Sequence, residues 1–172
     1  MKVLVLGCLG QLGKCLRDHL MSTEYNVAYV SRDQIDVSDF EETKLQILNY
    51  APDVLINTSA YTNVDKAEEE QVTADIINHL AVKNLADISL KLGCWLIHIS
   101  TDYVFDGNAK KPYLELDQTN PQSIYGLTKL NGELAIQASG CKNLIIRTAW
   151  VFSEYGNNFL KKMIKLGTVR DE

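Results

Sequence analysis

The sequence lacks any long apolar run. No stretch approaches the ~20 residues that a membrane-spanning helix needs, and the opening MKVLVLGCLG is short and broken by glycine, unlike a secretory leader. It also lacks paired cysteines. Cys8, Cys15, Cys94 and Cys141 form no Cys-x-x-Cys, and the three histidines, His19, His79 and His98, are scattered. The pattern offers neither a metal site nor a disulfide framework, and the cysteines read as small buried hydrophobes. There is no excess of positive charge: 17 Lys and Arg stand against 22 Asp and Glu, for a net charge of −5. That balance gives no basic footprint for nucleic acid or an anionic membrane. A cytoplasmic protein with neither as partner is the expectation.

What is present is the pattern of one globular domain. A chain of 172 residues with 46% hydrophobic and 23% charged residues can bury a full core, roughly 70% of its unfolded surface. Short continuous apolar runs alternate with longer amphipathic ones. The runs 2–6, 26–30, 53–57, 94–100 and 143–152 predict or contain strands, and 11–21, 38–50, 73–92, 123–139 and 157–167 predict helices. Leu12, Leu16 and Leu20 share a stripe of the first helix, as do Ile77, Ala81, Leu85, Ile88 and Leu92 of the longest. Ser38 is the expected N-cap of the second, Pro52 closes it and Gly93 ends the third. Such alternation predicts an α/β fold: a Rossmann-like doubly wound parallel sheet with helices on both faces. In these sheets ligands bind beyond the carboxyl ends of the strands, so the loops after each strand carry the functional expectations.

The loop after the first strand is GCLGQLG, a Gly-x-x-Gly-x-x-Gly that opens a helix. Gly7 permits a tight turn, Gly10 lets a pyrophosphate approach the backbone, and Gly13 lets the helix pack close to the sheet. A ligand-free glycine turn is the plainer reading; the strand–helix context favours a dinucleotide. After the second strand Arg32 and Asp33 stand side by side. An arginine there suits a ribose 2′-phosphate and an acid suits a 2′-hydroxyl. Arg32 lies nearer the strand end, which favours NADPH and leaves NADH open. Asp36 and Val37 would border the adenine, or simply enter the next helix. Thr58, Ser59 and Ala60, after the third strand, are small enough to let a cofactor run close, and Tyr61 to Asp65 would face the mouth. Glu68 to Glu70 read as a solvated helix start.

The fourth strand ends at Ser100 and Thr101, and the next helix carries Tyr125 and Lys129, one turn apart on one face. Tyr-x-x-x-Lys alone is common on solvated helices. Joined to a hydroxyl at the strand end and a glycine turn, it predicts convergence over a nicotinamide. A ketone that accepts hydride develops negative charge on oxygen and needs a proton as it forms. A phenol, ordinarily near pKa 10, becomes a better donor when a cation lies close. Thr101 would hydrogen-bond the same oxygen and orient it.

The phrases GQLG, YTNVDKAE, STDYVFDG, YGLTKLNGE, RTAWVF and GNNF, in that order along the whole chain, resemble the extended branch of the short-chain dehydrogenase/reductase superfamily, and within it the dTDP-4-dehydrorhamnose reductases. The resemblance implies reduction of the C4 ketone of a dTDP-linked sugar, with Tyr125 as proton donor, Lys129 anchoring the ribose and Thr101 as third catalytic residue. It implies a cofactor lining of Gly10, Gln11, Leu12, Asp36, Val37, Ser59, Ala60 and Tyr61, and sugar-nucleotide contacts from Val64, Asp102, Tyr103 and Trp150. Trp150 also reads as a buried aromatic at the sheet edge. Family members that bridge subunits through magnesium use an acid where Cys15 stands here, so no metal is carried over; a homodimer stays open. The family chain is longer, by roughly two βα units and a substrate domain, which implies an incomplete Rossmann domain over 1–172 and weak or no turnover. Two other readings remain at this point: a sugar-nucleotide epimerase or dehydratase, the latter disfavoured because no glutamate follows Asp102, and a non-catalytic subunit resembling the regulatory β subunit of methionine adenosyltransferase.

Overall fold

The computed structural model describes residues 1–169. Five parallel strands, β1 (Lys2–Leu6), β2 (Asn26–Val30), β3 (Val54–Asn57), β4 (Trp95–Thr101) and β5 (Asn143–Thr148), line up as β2-β1-β3-β4-β5. Leu4 pairs with Ala28 on one side and Leu55 on the other, which sets the central register. The helices are α1 (Gln11–Leu20), α2 (Phe40–Tyr50), α3 (Val64–Ala67), α4 (Gln71–Asp75), α5 (Ala81–Leu92), α6 (Ile124–Ser139) and α7 (Phe159–Val169). The main core packs Leu4, Leu6, Leu55 and Leu96 of the sheet against Ile47 of α2, Leu85 and Ile88 of α5 and Ile136 of α6. α2, α5 and α6 therefore share one face, and the right-handed crossover rule puts α1 on the other. The chain moves from β1 outward to β2, then returns past β1 to β3. That reversal opens a crevice at the carboxyl ends of β1 and β3.

Local chemistry explains most element ends. α2 is capped by Asp39, whose carboxylate accepts from the Glu42 N–H at 3.1 Å. The expected cap, Ser38, instead donates its hydroxyl to Asp36, so the helix starts one residue later than a Ser38 cap requires. Gly93 ends α5 in the left-handed conformation, and Ser123 caps α6 through the Gly126 N–H. The long third helix begins at Gln71 and passes through a π-helical turn, Ile76–Leu80, between α4 and α5. The extra residue turns Asn78 inward, where its side chain bonds both Tyr61 backbone groups and reaches the Thr128 hydroxyl of α6. Cys8, Cys94 and Cys141 are buried and all four cysteines are free. Among the described residues no helix is long and apolar enough to cross a membrane, and no cluster of His, Cys, Asp or Glu could hold a metal ion.

Candidate active site

The glycine turn is built as its spacing requires. Gly7 sits at φ 77°, and its N–H and that of Cys8 both donate to the Val30 carbonyl. A β-carbon on Gly7 would stand 2.9 Å from the Ser59 nitrogen, so this position is open only to glycine. At Gly13 a β-carbon would fall 2.5 Å from the Gly7 oxygen, which is how α1 comes so close to the sheet. Gly13 thus shapes the turn without lining a cleft. No side chain caps α1. Its first-turn N–H groups and the positive end of its dipole are left for an anion.

Two connected depressions meet at this turn. The first, about 300 Å³, is bordered by Gly7, Gly10, Arg32, Asp36, Val37, Ser59 and Ala60, together with Leu9, Asp33, Ile35, Thr58 and Ile77. Arg32 is largely exposed there, and its Nε donates to Asp36 at 3.0 Å. Burial pushes the Asp36 carboxyl up, but hydrogen bonds from Ser38 and Arg32 outweigh this and hold it below its usual value. The Asp36 carboxylate is thus occupied by Ser38 and Arg32, while the exposed Arg32 uses only its Nε and both Arg32 and Asp33 border the depression.

The second depression, about 490 Å³, runs on from Gly10, Gln11, Leu12, Ser59 and Ala60 to Val64, Ser100, Thr101, Asp102, Tyr103, Tyr125, Lys129 and Trp150. The structure therefore brings both the glycine turn and the Tyr–Lys pair to one cleft. Ser100 carries a buried hydroxyl with no partner in the protein. A glycine cradle, an uncapped helix start and the small residues Ser59 and Ala60 beside them together fit a bound dinucleotide. Tyr61 is the exception among the expected lining residues. Its hydroxyl donates to Glu70 at 2.9 Å and its backbone is held by Asn78, so it borders neither depression.

Thr101 ends β4, and its hydroxyl donates to Asp102 at 3.1 Å and caps the short turn Asp102–Val104. Tyr103 packs edge-on against Tyr125, ring centroids 5.6 Å apart. Phe105 is buried and stacks on Tyr113, whereas Tyr103 stays half-exposed at the cleft. Burial pushes the Tyr125 phenol above its usual value. A hydrogen bond with Thr101 pulls it back, and Asp102 and Tyr103 push it further up. The expected lowering by Lys129 does not appear, because the amine is turned to other partners. Lys129 Nζ donates to the Ile99 carbonyl at 2.5 Å and lies 3.3 Å from His98 Nε2. Burial lowers its pKa to about 8, against the pull of Glu133. His98 is buried completely and held well below 6.5, first by burial and then by Lys129.

Trp150 is 72% exposed, in a left-handed backbone conformation (φ 52°), and meets Phe159 edge to face. The buried-aromatic reading of Trp150 is therefore wrong. A positive φ at a bulky residue is strained, and such strain concentrates where a side chain is presented to a ligand. Sequence reasoning missed Asn157 and Asn158, which line the same cleft. Asn158 donates to Gln11 Oε1 at 3.0 Å and Tyr155 donates to Asp18, which fasten this segment over α1. The phrase GNNF was the available signal. The acidic run is also more than a solvated helix start: Glu68 accepts from the Ile124 N–H and so steadies the start of α6, while Glu70 pairs with Lys66 and Tyr61.

A parallel sheet with this strand order, a glycine turn at its switch point and a Tyr–Lys helix over the same crevice define a Rossmann-type nucleotide-binding domain of the extended short-chain dehydrogenase/reductase kind. The family model described as "RmlD substrate binding domain" matches residues 1–172. The chain belongs to that family. It is 41% identical over 175 aligned residues to the dTDP-4-dehydrorhamnose reductase of Escherichia coli K12, covering 100% of this chain and 58% of that protein. A crystal structure of a dTDP-4-dehydrorhamnose reductase from Clostridium acetobutylicum superposes with a TM-score of 0.96 at 42% identity, over 99% of this chain and 61% of that one. The Bacillus anthracis dTDP-4-dehydrorhamnose reductase, solved in complex with NADP, gives 0.94 at 37% identity, over 98% and 60%. The chain thus spans about three fifths of the length of the relatives it matches.

Proposed function

We propose that this chain is the cofactor-binding portion of an NADPH-dependent dTDP-4-dehydrorhamnose reductase, which reduces the C4 ketone of dTDP-4-dehydro-L-rhamnose to give dTDP-L-rhamnose. The observation that carries the reading is that Thr101, Tyr125 and Lys129 border the same cleft as Gly10, Gln11 and Leu12. A nicotinamide bound there supplies the hydride. The chain does the rest. The α1 start binds the pyrophosphate through backbone N–H groups, and Ser59 and Ala60 border its path. Arg32, with only its Nε used, takes the 2′-phosphate. Asp36 holds Arg32 in place, and Val37 borders the adenine. Ser100 borders the cleft at the end of β4. Lys129 anchors the ribose.

Tyr125 gives its proton to the ketone oxygen as negative charge builds there, a contribution of typically ~10²–10⁴ in rate. The phenol is protonated at neutral pH, as a donor must be, and its raised pKa makes it a weaker acid than an ordinary tyrosine until a cation comes close. Thr101 orients that oxygen. Val64, Asp102, Tyr103 and Trp150 border the same cleft, and the reading assigns them to the sugar nucleotide. The reading includes a cytoplasmic protein, since its charged nucleotide-sugar substrate does not cross a bilayer, and a homodimer as one assembly open to the whole protein.

The test is NADPH binding by the chain, followed by its fluorescence, and NADPH consumption with the ketosugar in the wild type and Tyr125→Phe. Binding in both, with turnover weak or absent in the wild type and lower still or absent in Tyr125→Phe, supports the reading. Failure of the chain to bind NADPH contradicts it.

A further inference from the structure

One buried titratable group is left unused by the mechanism above: His98 of β4, fully buried behind Lys129. Its two ring nitrogens have different neighbours. Nε2 faces Lys129 Nζ at 3.3 Å, and Nδ1 faces the amide nitrogen of Asn57 at 3.1 Å. The Asn57 amide is held in one orientation here by its oxygen, which accepts from the Ser59 backbone N–H at 3.0 Å. Its NH₂ group therefore points at His98 and can only donate. Nδ1 must then be the acceptor, and the proton of a neutral ring sits on Nε2, aimed at Lys129. An ammonium cannot accept that proton. The arrangement is satisfied when Lys129 is an amine, donating one N–H to Ile99 and accepting from Nε2–H.

The ammonium form needs the opposite arrangement. Its N–H requires a lone pair on Nε2, so the ring proton must move to Nδ1. Nδ1–H in turn requires an acceptor, which Asn57 supplies by rotating its oxygen inward and releasing the Ser59 N–H. Net, Lys129 takes one proton from solvent, the ring changes tautomer without changing charge, and one backbone hydrogen bond is given up. Ser59 belongs to the loop that borders both depressions, and its nitrogen stands against Gly7.

We propose that His98 is a positioning residue for Lys129, and that the chain Ser59–Asn57–His98–Lys129 couples the charge on the lysine to the conformation of the cofactor loop. The other titratable groups around Lys129 are Glu133 and Tyr125 on its own helix. The Glu133 carboxylate is held by Arg147 of β5 at 2.6 Å, and Tyr125 is turned to Thr101 and the Asp102 turn. Neither occupies the His98 side. A burial-lowered lysine that titrates near pH 8 places the switch close to the working range. The coupling itself follows from donors and acceptors alone; its use in reduction rests on the function proposed above.

The test is an NMR titration of the chain without cofactor, from pH 6 to 10. It follows the ring ¹⁵N shifts of His98, the Cε shift of Lys129 and the backbone amide of Ser59. The expected result is a His98 ring that is neutral throughout, with its proton on Nε2 above the lysine midpoint and on Nδ1 below it, and a Ser59 amide that moves with the same midpoint. In His98→Phe the Ser59 step is lost while Lys129 still titrates. A ring whose tautomer is unchanged while Lys129 titrates overturns the proposal, as does a Ser59 step that survives in His98→Phe. The wild-type titration decides even where that variant fails to fold. An NADPH titration run alongside separates the two ideas. Coupling without NADPH binding counts against the reductase reading alone, and NADPH binding without coupling counts against the relay alone.

Discussion

The carbonyl oxygen of Tyr103 lies 2.2 Å from where a β-carbon on residue 126 would stand. Gly126 follows Tyr125 directly, so the close approach of α6 to the Asp102–Val104 turn and the position of the phenol are one and the same packing decision. Backbone cannot yield as a flexible side chain can, and an added methyl there must push α6 away. Gly126→Ala is expected to destabilise the chain by about 1–3 kcal/mol, a fall in melting temperature of roughly 2–10 °C, measured by calorimetry or circular dichroism. A β-branched residue at 126 is expected to do more.

The Glu133–Arg147 pair predicts an asymmetry. The carboxylate is almost fully buried, with 1% of its side chain exposed, while the guanidinium is 22% exposed and also stacks over Phe105. Removing the arginine strands a buried charge. Removing the glutamate leaves a cation that reaches water. Arg147→Met is expected to destabilise by about 3–5 kcal/mol and Glu133→Gln by clearly less, about 1–2 kcal/mol. Urea unfolding of the two variants checks the order; equal losses would contradict it.

Stability should depend on pH through His98 and Lys129, and both act in the same direction. Each has a folded pKa below its unfolded one. Wherever the unfolded chain binds the extra proton, stability rises with pH. For His98 that region lies below 6.5, so its contribution is present at pH 7 and is lost as pH falls through 6.5, at up to about 1.4 kcal/mol per pH unit. For Lys129 it lies between about 8 and 10.5, so this side chain weighs fully against folding at neutral pH, by roughly 3 kcal/mol, and less as pH climbs. Urea midpoints at pH 5.5, 6.5, 7.5 and 9 follow both slopes. Lys129→Met is expected to flatten the alkaline one.

Arg32 should read the cofactor's phosphate and little else. The side chain is largely exposed beside the depression, and only its Nε is used, by Asp36. Arg32→Ala is expected to weaken NADPH binding about 10–100-fold, the loss of charge-assisted hydrogen bonds, and to leave NADH within about threefold. Isothermal titration with both cofactors measures it. Equal losses for both would remove Arg32 from the phosphate site.

Much of this was legible in the residues. Strand and helix order followed from apolar runs broken at glycine and proline, and the fingerprint was visible because Gly7 and Gly13 have positions that tolerate no β-carbon. The Tyr–Lys pair could be seen because four residues return a helix to one face. What escaped was whatever depends on contacts between distant segments. Asn78 reads as an ordinary helix residue until a π-helical turn points it at Tyr61. Tyr61 reads as a mouth residue until Glu70 takes its hydroxyl. Ser38 and Asp39 are both good caps, and the choice between them was made by Asp36. The opposite sign of the Tyr125 shift has the same origin. Spacing puts Lys129 near the phenol, but only the fold shows that Ile99 and His98 already hold the amine.

The central claim is that the glycine turn and the tyrosine serve one bound cofactor. The most direct measurement is a nuclear Overhauser experiment on the chain saturated with NADPH, with the Tyr125 ring identified through Tyr125→Phe. Cross-peaks between that ring and the nicotinamide protons, together with shifts in the Gly10 and Leu12 amides, are the predicted result. NADPH that perturbs the glycine turn while its nicotinamide shows no contact with Tyr125 would contradict the account.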